Sequence, residues 1–348
     1  MSNTLDKYMS SKVLPLNRRA TSYDVALAAG VSQSTVSRCF QPDSNISKET
    51  RARVISVAKT LGYTPNAIAR SLITRRSQTV GVVITDYTLR NTPNVLYLLS
   101  EALGNVQQRL ILFAIESDES ENAILDSAVE YPLDGLISCA NMRPKHVNRF
   151  LEHHIPVLFF NRRTTMKNVD SILTDQVRGS GEMATALIKG GYQKFLCLSG
   201  PTNATVSRER IRGFNQKLRL AGLPTAEVIV TDFSYSQGRS MFTQALRQGL
   251  RPECVFCAND QLAFGVIDAC RYDLGLNVPE DIAVAGFDDI PESDRPSYSL
   301  TTVRQMTDEM VRQTVNRFVQ RLANPSSAAQ HIVIPSKLVA RSSAPIEG

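Results

Sequence analysis

The stretch Thr21-Ser-Tyr-Asp-Val-Ala-Leu-Ala-Ala-Gly30-Val-Ser-Gln-Ser-Thr-Val-Ser-Arg-Cys-Phe40, followed by Ser47-Lys-Glu-Thr-Arg-Ala-Arg-Val-Ile-Ser-Val-Ala-Lys-Thr-Leu61-Gly62, spells three short helices. Thr21 or Ser22 can cap the first, whose Val25, Ala26 and Ala29 form one small apolar face. Gly30 supplies a tight turn where a side chain would obstruct packing. Ser32 caps the second helix, and Val36 and Phe40, four apart, fall on its buried face. The third runs from Ser47 to Leu61 with Val54, Ala58 and Leu61 as its core stripe and Gly62 as its stop. Gln33, Ser34, Ser37 and Arg38 are left facing outward on the second helix. These are the side chains that hydrogen-bond base edges and phosphates: glutamine for adenine, arginine for guanine, serine for either. A small three-helix unit with such a polar second helix reads as a helix-turn-helix that enters the major groove, rather than a generic three-helix bundle.

The charge distribution points the same way. Residues 1–78 carry 12 Lys/Arg against 4 Asp/Glu, whereas the remaining residues hold 27 against 29. All of the net +6 therefore comes from the first quarter of the chain. Concentrated positive charge suits phosphate, because each neutralised phosphate releases condensed counterions. A solvated basic tail would carry the same charge, so the helix pattern is what decides.

Beyond Gln78 the texture changes. Short β-rich runs alternate with helical segments: Val80–Thr85, Ile111–Ile115, Gly135–Cys139, Pro156–Phe160, Ser171–Thr174, Phe195–Leu198, Val228–Val230, Cys254–Cys257 and Ile282–Phe287. Their spacing of about 25–30 residues is that of a βα repeat, and near-continuous apolar strands suit a parallel sheet covered on both faces. The fold class is therefore α/β, with two doubly wound parallel-sheet subdomains preceded by a small all-α domain. In such folds ligands bind at the carboxyl ends of strands. The strand exits present Asp86 and Tyr87, Asn161 and Arg162, Asp175, Asp232 and Phe233, Asn259, Asp260 and Gln261, and Asp288 and Asp289; Arg208, Arg210 and Arg212 open a nearby helix. Carboxylates, amides, an arginine and an aromatic on one cleft match a polyhydroxylated ligand, the aromatic face covering the apolar side of a sugar ring. Arg210 or Arg162 would also admit a sugar phosphate or sugar acid. The effector candidates are Asp86, Asn161, Arg210, Phe233, Asn259 and Asp288. Asp260 is expected to cap the helix from Gln261, Asp289 to brace its loop, and Arg208 and Arg212 to be surface charges.

Several motifs coincide in order with those of one family. Tyr23-Asp-Val-Ala26, Ala29-Gly-Val-Ser32, Thr35-Val-Ser-Arg38, Gly62-Tyr63 and Pro65-Asn66 closely resemble the headpiece of the lactose-repressor (LacI/GalR) family. Ala67-Ile-Ala-Arg-Ser-Leu72 looks like its hinge helix, where Asn66 caps, Ala69 permits close approach of a second helix, and Leu72 is an apolar wedge for the minor groove. Arg210-Ile-Arg-Gly213-Phe214, Ala258-Asn-Asp-Gln261, Gly286-Phe-Asp-Asp289 and Leu300-Thr-Thr-Val303 resemble the motifs of its effector domain, itself akin to periplasmic sugar-binding proteins. Asn161 stands where some sugar-binding members have an aspartate. The resemblance implies a DNA surface of Tyr23, Ser32, Gln33, Ser34, Thr35, Ser37, Arg38, Asn45, Asn66, Ala69 and Leu72. Gln33, Ser34 and Arg38 would read bases, and Ser32, Thr35, Ser37 and Asn45 would hold phosphates. It also implies a homodimer on double-stranded DNA with a palindromic operator, regulated by a small-molecule effector such as a sugar, sugar phosphate or sugar acid.

The domain boundaries expected are a disordered basic arm over 1–20, the headpiece over 21–66, hinge helix and linker over 67–78, the effector domain over 79–343 and a tail over 344–348. Within the effector domain, about 79–175 with 304–333 would form one lobe. The other would be 176–303 with 334–343, including a last strand around Ile334–Val339. Three crossovers would then make a hinge whose closure alters the spacing of two hinge helices. A chain stopping soon after that strand leaves no heptad tail, so a dimer is expected.

Other classes fit poorly. No apolar run approaches the ~20 residues of a spanning helix, and the polar N-terminus lacks a signal h-region, so a cytoplasmic protein without membrane contact is expected. Six scattered cysteines suit a reducing compartment, and Cys254-x-x-Cys257 lies in an apolar strand rather than at a helix start. There is no phosphate-binding glycine loop, and His146, His153, His154 and His331 lie outside the strand exits. No catalysis, metal or cofactor is expected. A soluble sugar-binding protein would fit the cleft but not the headpiece.

Overall fold

In the computed structural model, residues 18–40, 44–64, 76–116 and 123–346 are described. The chain divides into two units, Met1–Ser77 and Gln78–Gly348. In the first, α1 (Ser22–Ala29), α2 (Gln33–Cys39) and α3 (Lys48–Thr60) close around Val25, Ala26, Ala29, Val36, Cys39, Val54, Val57 and Ala58. Each start is set locally. Thr21 and Asp24 form a reciprocal capping box on α1, and Ser32 and Ser47 cap α2 and α3. Gly30 ends α1 at φ +65°, a left-handed conformation that costs a residue with a Cβ more than glycine. Phe40, expected on the buried face, is half-buried against that core and packs edge-on against Tyr63 at 5.9 Å; it is also the C-cap of α2, and Cys39 is buried more deeply. Arg18, placed in the arm by the sequence, reaches back 2.9 Å to Asp24. The hinge-helix residues Asn66, Ala69 and Leu72 lie outside the described residues, as does most of the expected arm.

The second unit is built from two parallel sheets. The first runs β11-β5-β4-β3-β1-β2, where β1 is Thr79–Thr85, β2 Arg109–Ile115, β3 Gly135–Ser138, β4 Val157–Phe160, β5 Asp170–Thr174 and β11 His331–Ile334. The second runs β7-β6-β8-β9, where β6 is Phe195–Ser199, β7 Glu227–Val230, β8 Cys254–Cys257 and β9 Ala283–Ala285. Helices cover both faces, which is why most central strands are buried end to end. Those in chain order are α4 (Asp86–Asn91), α5 (Asn94–Asn105), α6 (Ala123–Ala128), α7 (Pro144–Glu152), α8 (Gln176–Lys189), α9 (Thr205–Leu220), α10 (Tyr235–Arg247), α11 (Asp260–Asp268) and α12 (Thr307–Ala323). An antiparallel ribbon joins β10 (Thr302–Arg304) to β12 (Lys337–Val339).

The chain passes between the sheets at 174–176, 304–307 and 334–337. The single strand expected around Ile334–Val339 is two. Ile334 ends β11 in the first sheet, and Lys337–Val339 belongs to the ribbon. Pro335 between them has no N–H to donate to a ladder, so the pairing breaks there.

One buried charge cluster ties α12 to the first sheet. Asp170, fully buried in β5, accepts from Arg317 Nε at 2.7 Å, from Arg321 Nη2 at 2.7 Å and from the Gln330 amide at 2.8 Å. The two guanidiniums spend further donors on the carbonyls of Ala328, Pro325 and Ser327. Among the described residues no helix is long and apolar enough to cross a membrane.

Candidate functional site

On the headpiece, Ser32, Gln33, Ser34 and Arg38 are exposed, Thr35 and Ser37 half-buried, and Asn45 and Tyr23 exposed. Val36 and Cys39 anchor the opposite side of α2 in the core, so helical period alone turns 33, 34, 37 and 38 outward together. Ser32 Oγ lies 2.8 Å from Thr35 Oγ1 and 2.9 Å from Ser34 Oγ, a hydroxyl cluster at the start of α2. The Gln33 side-chain amide reaches Ser22 Oγ at 3.3 Å. The face combines long donors with short hydroxyls on a rigid helix, the arrangement that direct base readout requires.

Between the two sheets of the second unit lies a cavity of about 320 Å³. Arg210, Asp288, Phe233, Asn161, Arg162, Gln305 and Tyr87 line it, with Phe160, Val206, Ile290 and Met310. Arg210 and Asp288 form its buried polar centre, 2.8 Å apart. The Arg210 guanidinium also donates to Gln176 Oε1 at 2.8 Å and to the Ala258 carbonyl at 2.6 Å, and it sits 3.8 Å over the Phe287 ring. Gly213, one turn further along α9, lets α9 lie against α8: a Cβ there would fall 2.2 Å from the Val177 carbonyl. The R-x-x-G-F spacing thus couples the arginine to the helix contact that aims it. Burial pushes the Asp288 carboxyl above its ordinary range, and Arg210 opposes that rise.

Four cavity residues hold left-handed backbone: Asn161 at φ +53°, Phe233 at +70°, Asp288 at +121° and Asp289 at +56°. Such conformations are costly for residues with side chains and collect where a side chain must be aimed against local preference. Phe233 pairs with Tyr87 at 4.8 Å between ring centroids, forming an aromatic wall.

Asn161, Arg210, Phe233 and Asp288, expected from the strand exits, come together on this cavity. Asn259 does not reach it. It caps α11 through the Leu262 amide, and its Nδ2 donates to the Tyr87 hydroxyl at 2.5 Å and the Phe233 carbonyl at 3.1 Å. It therefore holds the aromatic wall from behind. Asp86 is exposed and outside the cavity lining, and Tyr87 takes the place expected of it. The first residue after β1 turns outward on α4 and the second turns in. Asp260 is not the helix cap. Its buried carboxylate accepts from Thr302 Oγ1, the Ile290 amide and Ser293 Oγ, tying the loop after β9 to the ribbon. Asp289 braces that loop through Arg304 and Arg341. Cys254 and Cys257 are buried in β8, and burial raises both thiols well above their ordinary range, which disfavours the thiolate.

Gln176 and Gln305 escaped the sequence. Each sits one or two residues past a strand, in segments that pass between the sheets, and a longer reading of strand exits would have reached both.

The comparisons with known proteins match this architecture part by part. The family model for bacterial regulatory proteins of the lacI family matches residues 21–66, and that for the periplasmic binding protein-like domain matches residues 184–344. The ribose operon repressor of Escherichia coli strain K12 is 32% identical over 338 residues, covering 93% of this chain and 100% of the relative. A solved structure of the lac repressor dimer bound to operator and the anti-inducer ONPF superposes with a TM-score of 0.85 at 26% identity, covering 94% of this chain and 100% of that one. A complex of the transcriptional regulator CelR with cellobiose matches with a TM-score of 0.69 at 25% identity over 93% of this chain and 100% of its own. A helix-turn-helix unit and a two-sheet cleft of this kind define a ligand-responsive DNA-binding regulator. The chain belongs to the lacI family of bacterial regulatory proteins.

Proposed function

We propose that this chain is a cytoplasmic homodimeric repressor whose affinity for a palindromic operator is set by a small polyhydroxylated effector bound between the two sheets. Gln33, Ser34 and Arg38 contact base edges; Tyr23, Ser32, Thr35, Ser37 and Asn45 hold the backbone; Asn66, Ala69 and Leu72 serve the central step. In the cleft, Arg210, Asp288 and Asn161 bond ligand hydroxyls, and Phe233 with Tyr87 covers an apolar ring face. Asn259 acts through that aromatic wall. Asp86 has no part in the cavity. The observation that carries this reading is the buried Arg210–Asp288 pair opposite Phe233 on one cavity of about 320 Å³, at the lower end of small-molecule sites. Arginine and carboxylate side by side supply donors and acceptors to neighbouring hydroxyls, and their charges cancel, which favours a neutral ligand. A sugar repressor among the relatives and a cellobiose-bound regulator among the structures support the same class.

A thermal-shift screen of D-ribose, cellobiose, sugar phosphates, sugar acids and nucleosides tests it. A ligand at 100 times its Kd stabilises by about 2.7 kcal/mol. The expected result is a shift by a neutral sugar that Arg210→Met abolishes. A shift that survives Arg210→Met places the pocket elsewhere.

A further inference from the structure

Five side chains, four of which line the cavity, form a closed hydrogen-bonded ring. Gln305 Oε1 accepts from Asn161 Nδ2 at 2.9 Å, and Gln305 Nε2 donates to Asp288 Oδ1 at 2.8 Å. Asp288 Oδ1 meets Arg210 Nη2 at 2.8 Å, and Arg210 Nε donates to Gln176 Oε1 at 2.8 Å. Gln176 Nε2 then donates to Asn161 Oδ1 at 3.0 Å and closes the circuit. The Thr174 hydroxyl adds a further bond to Gln305 Oε1 at 2.8 Å. All three amides are used as donor and acceptor at once. Turning any one of them over sets like against like at both ends, so the ring has one satisfied arrangement.

Its position in the chain gives the ring a mechanical meaning. Asn161 directly follows β4 and Thr174 ends β5 of the first sheet, and Arg210 and Asp288 belong to the second lobe. Gln176 and Gln305 lie in two of the three segments that pass between them. Arg210, Asp288, Asn161 and Gln305 also line the cavity. A hydroxyl that bonds to Asp288 or Asn161 therefore competes with a bond that spans the hinge.

We propose that this ring is the clasp that fixes the angle between the two lobes, with Gln305 and Gln176 as positioning residues through which occupancy of the cavity is converted into lobe movement. The link to occupancy rests on the effector reading given above; the clasp itself does not, and its test uses neither ligand nor DNA. The six native cysteines are buried, so spin labels can be directed to Glu152→Cys on α7 and Gln248→Cys after α10, both exposed. The distance between the lobes is then read by pulsed electron resonance on full-length protein mixed with excess unlabelled chain.

Gln305→Leu, close to isosteric but without the amide, is expected to shift or broaden the distance distribution. Gln305→Glu is the discriminating variant. Protonated, it offers a hydroxyl to Asp288 and a carbonyl to Asn161 and Thr174, reproducing the polarity of glutamine. Ionised, it sets a second negative charge against Asp288 and removes the donor. The charged and titratable groups that line the cavity with it are Asp288, Arg210, Arg162, Asp289, Glu292 and the neutral Tyr87; Arg304 precedes it in the chain, and the buried Asp260 carboxyl interacts with Asp288. Its distance distribution is expected to match the parent at pH 5.5 and the leucine variant at pH 8.5, while the parent is unchanged between the two. A Gln305→Glu protein whose distances ignore pH overturns the clasp, as does a Gln305→Leu protein identical to the parent. Should the leucine variant fail to fold, the pH comparison within the glutamate variant still decides.

Discussion

Replacing Arg210 by methionine keeps an unbranched stem over Phe287 and removes the only basic side chain paired with Asp288 among the described residues. Both partners are nearly inaccessible, with side-chain exposures of 4% and 9%. Deleting one member of a buried pair costs about 3–5 kcal/mol, because the other charge stays desolvated and uncompensated. The cost here depends on pH. Asp288 is already held above its ordinary range by burial, and Arg210 is what opposes the rise. Without it the folded-state carboxyl rises further, so the folded protein retains a proton that the unfolded chain releases. A raised carboxyl lowers stability progressively as pH climbs from the ordinary carboxylate range through the raised value. The deficit of Arg210→Met is therefore smaller at pH 5 than at pH 8.

The chain has no tryptophan, so urea unfolding is followed by far-ultraviolet circular dichroism. With an m-value of about 3 kcal/mol/M, a 4 kcal/mol deficit lowers the midpoint by about 1.3 M. The Arg210→Met/Asp288→Asn double variant, which leaves no buried charge, is expected to recover more than half of the loss at pH 8. A deficit below about 1 kcal/mol at pH 8, or one equal at pH 5 and pH 8, would refute the burial argument for this pair.

Three further outcomes follow from the same reasoning. Asp170→Asn leaves Arg317 and Arg321 without their carboxylate and is expected to cost about 3–5 kcal/mol in the same unfolding assay; a cost under 1 kcal/mol would mean that the two guanidiniums are satisfied by carbonyls alone. The Asp260 carboxyl is pushed up to about 7 by burial and then by Asp288, so it lowers stability as pH rises from about 4 to 7; Asp260→Asn should flatten that part of the melting-temperature profile, and an unchanged slope counts against it. Arg38→Ala is expected to relax base preference at one position of each half-site by about 1–3 kcal/mol in a binding-site selection, whereas an equal loss on all sequences would make Arg38 a phosphate contact.

How much of this was legible in the sequence follows the range of the forces involved. The headpiece could be read residue by residue because caps, turns and helical faces are written within four positions: Thr21 with Asp24, Ser32 with Thr35, and Gly30 at the left-handed stop. The strands were legible because burial on both faces demands unbroken apolar runs. The strand-exit rule then picked out Arg210, Asp288, Asn161 and Phe233, which line one cavity, since topology alone brings the carboxyl ends of parallel strands together. What needed the tertiary structure was the orientation of each side chain at those ends. Asp86 and Tyr87 are adjacent in sequence, and only the pitch of α4 decides which of them faces the cavity. Asn259 looked like a ligand contact and is a brace, because α11 begins one residue earlier than its acidic neighbours suggested. Gln176 and Gln305 lie within reach of a longer strand-exit reading, but nothing local in the sequence shows that they join one ring. Asn161 and Gln305 stand 144 residues apart, and their bond exists only because two crossings return the chain to the same point. Local hydrogen bonds and hydrophobic period determined the DNA-reading half of this protein from its sequence, while the convergence of distant polar groups in a desolvated cleft was settled only by the fold.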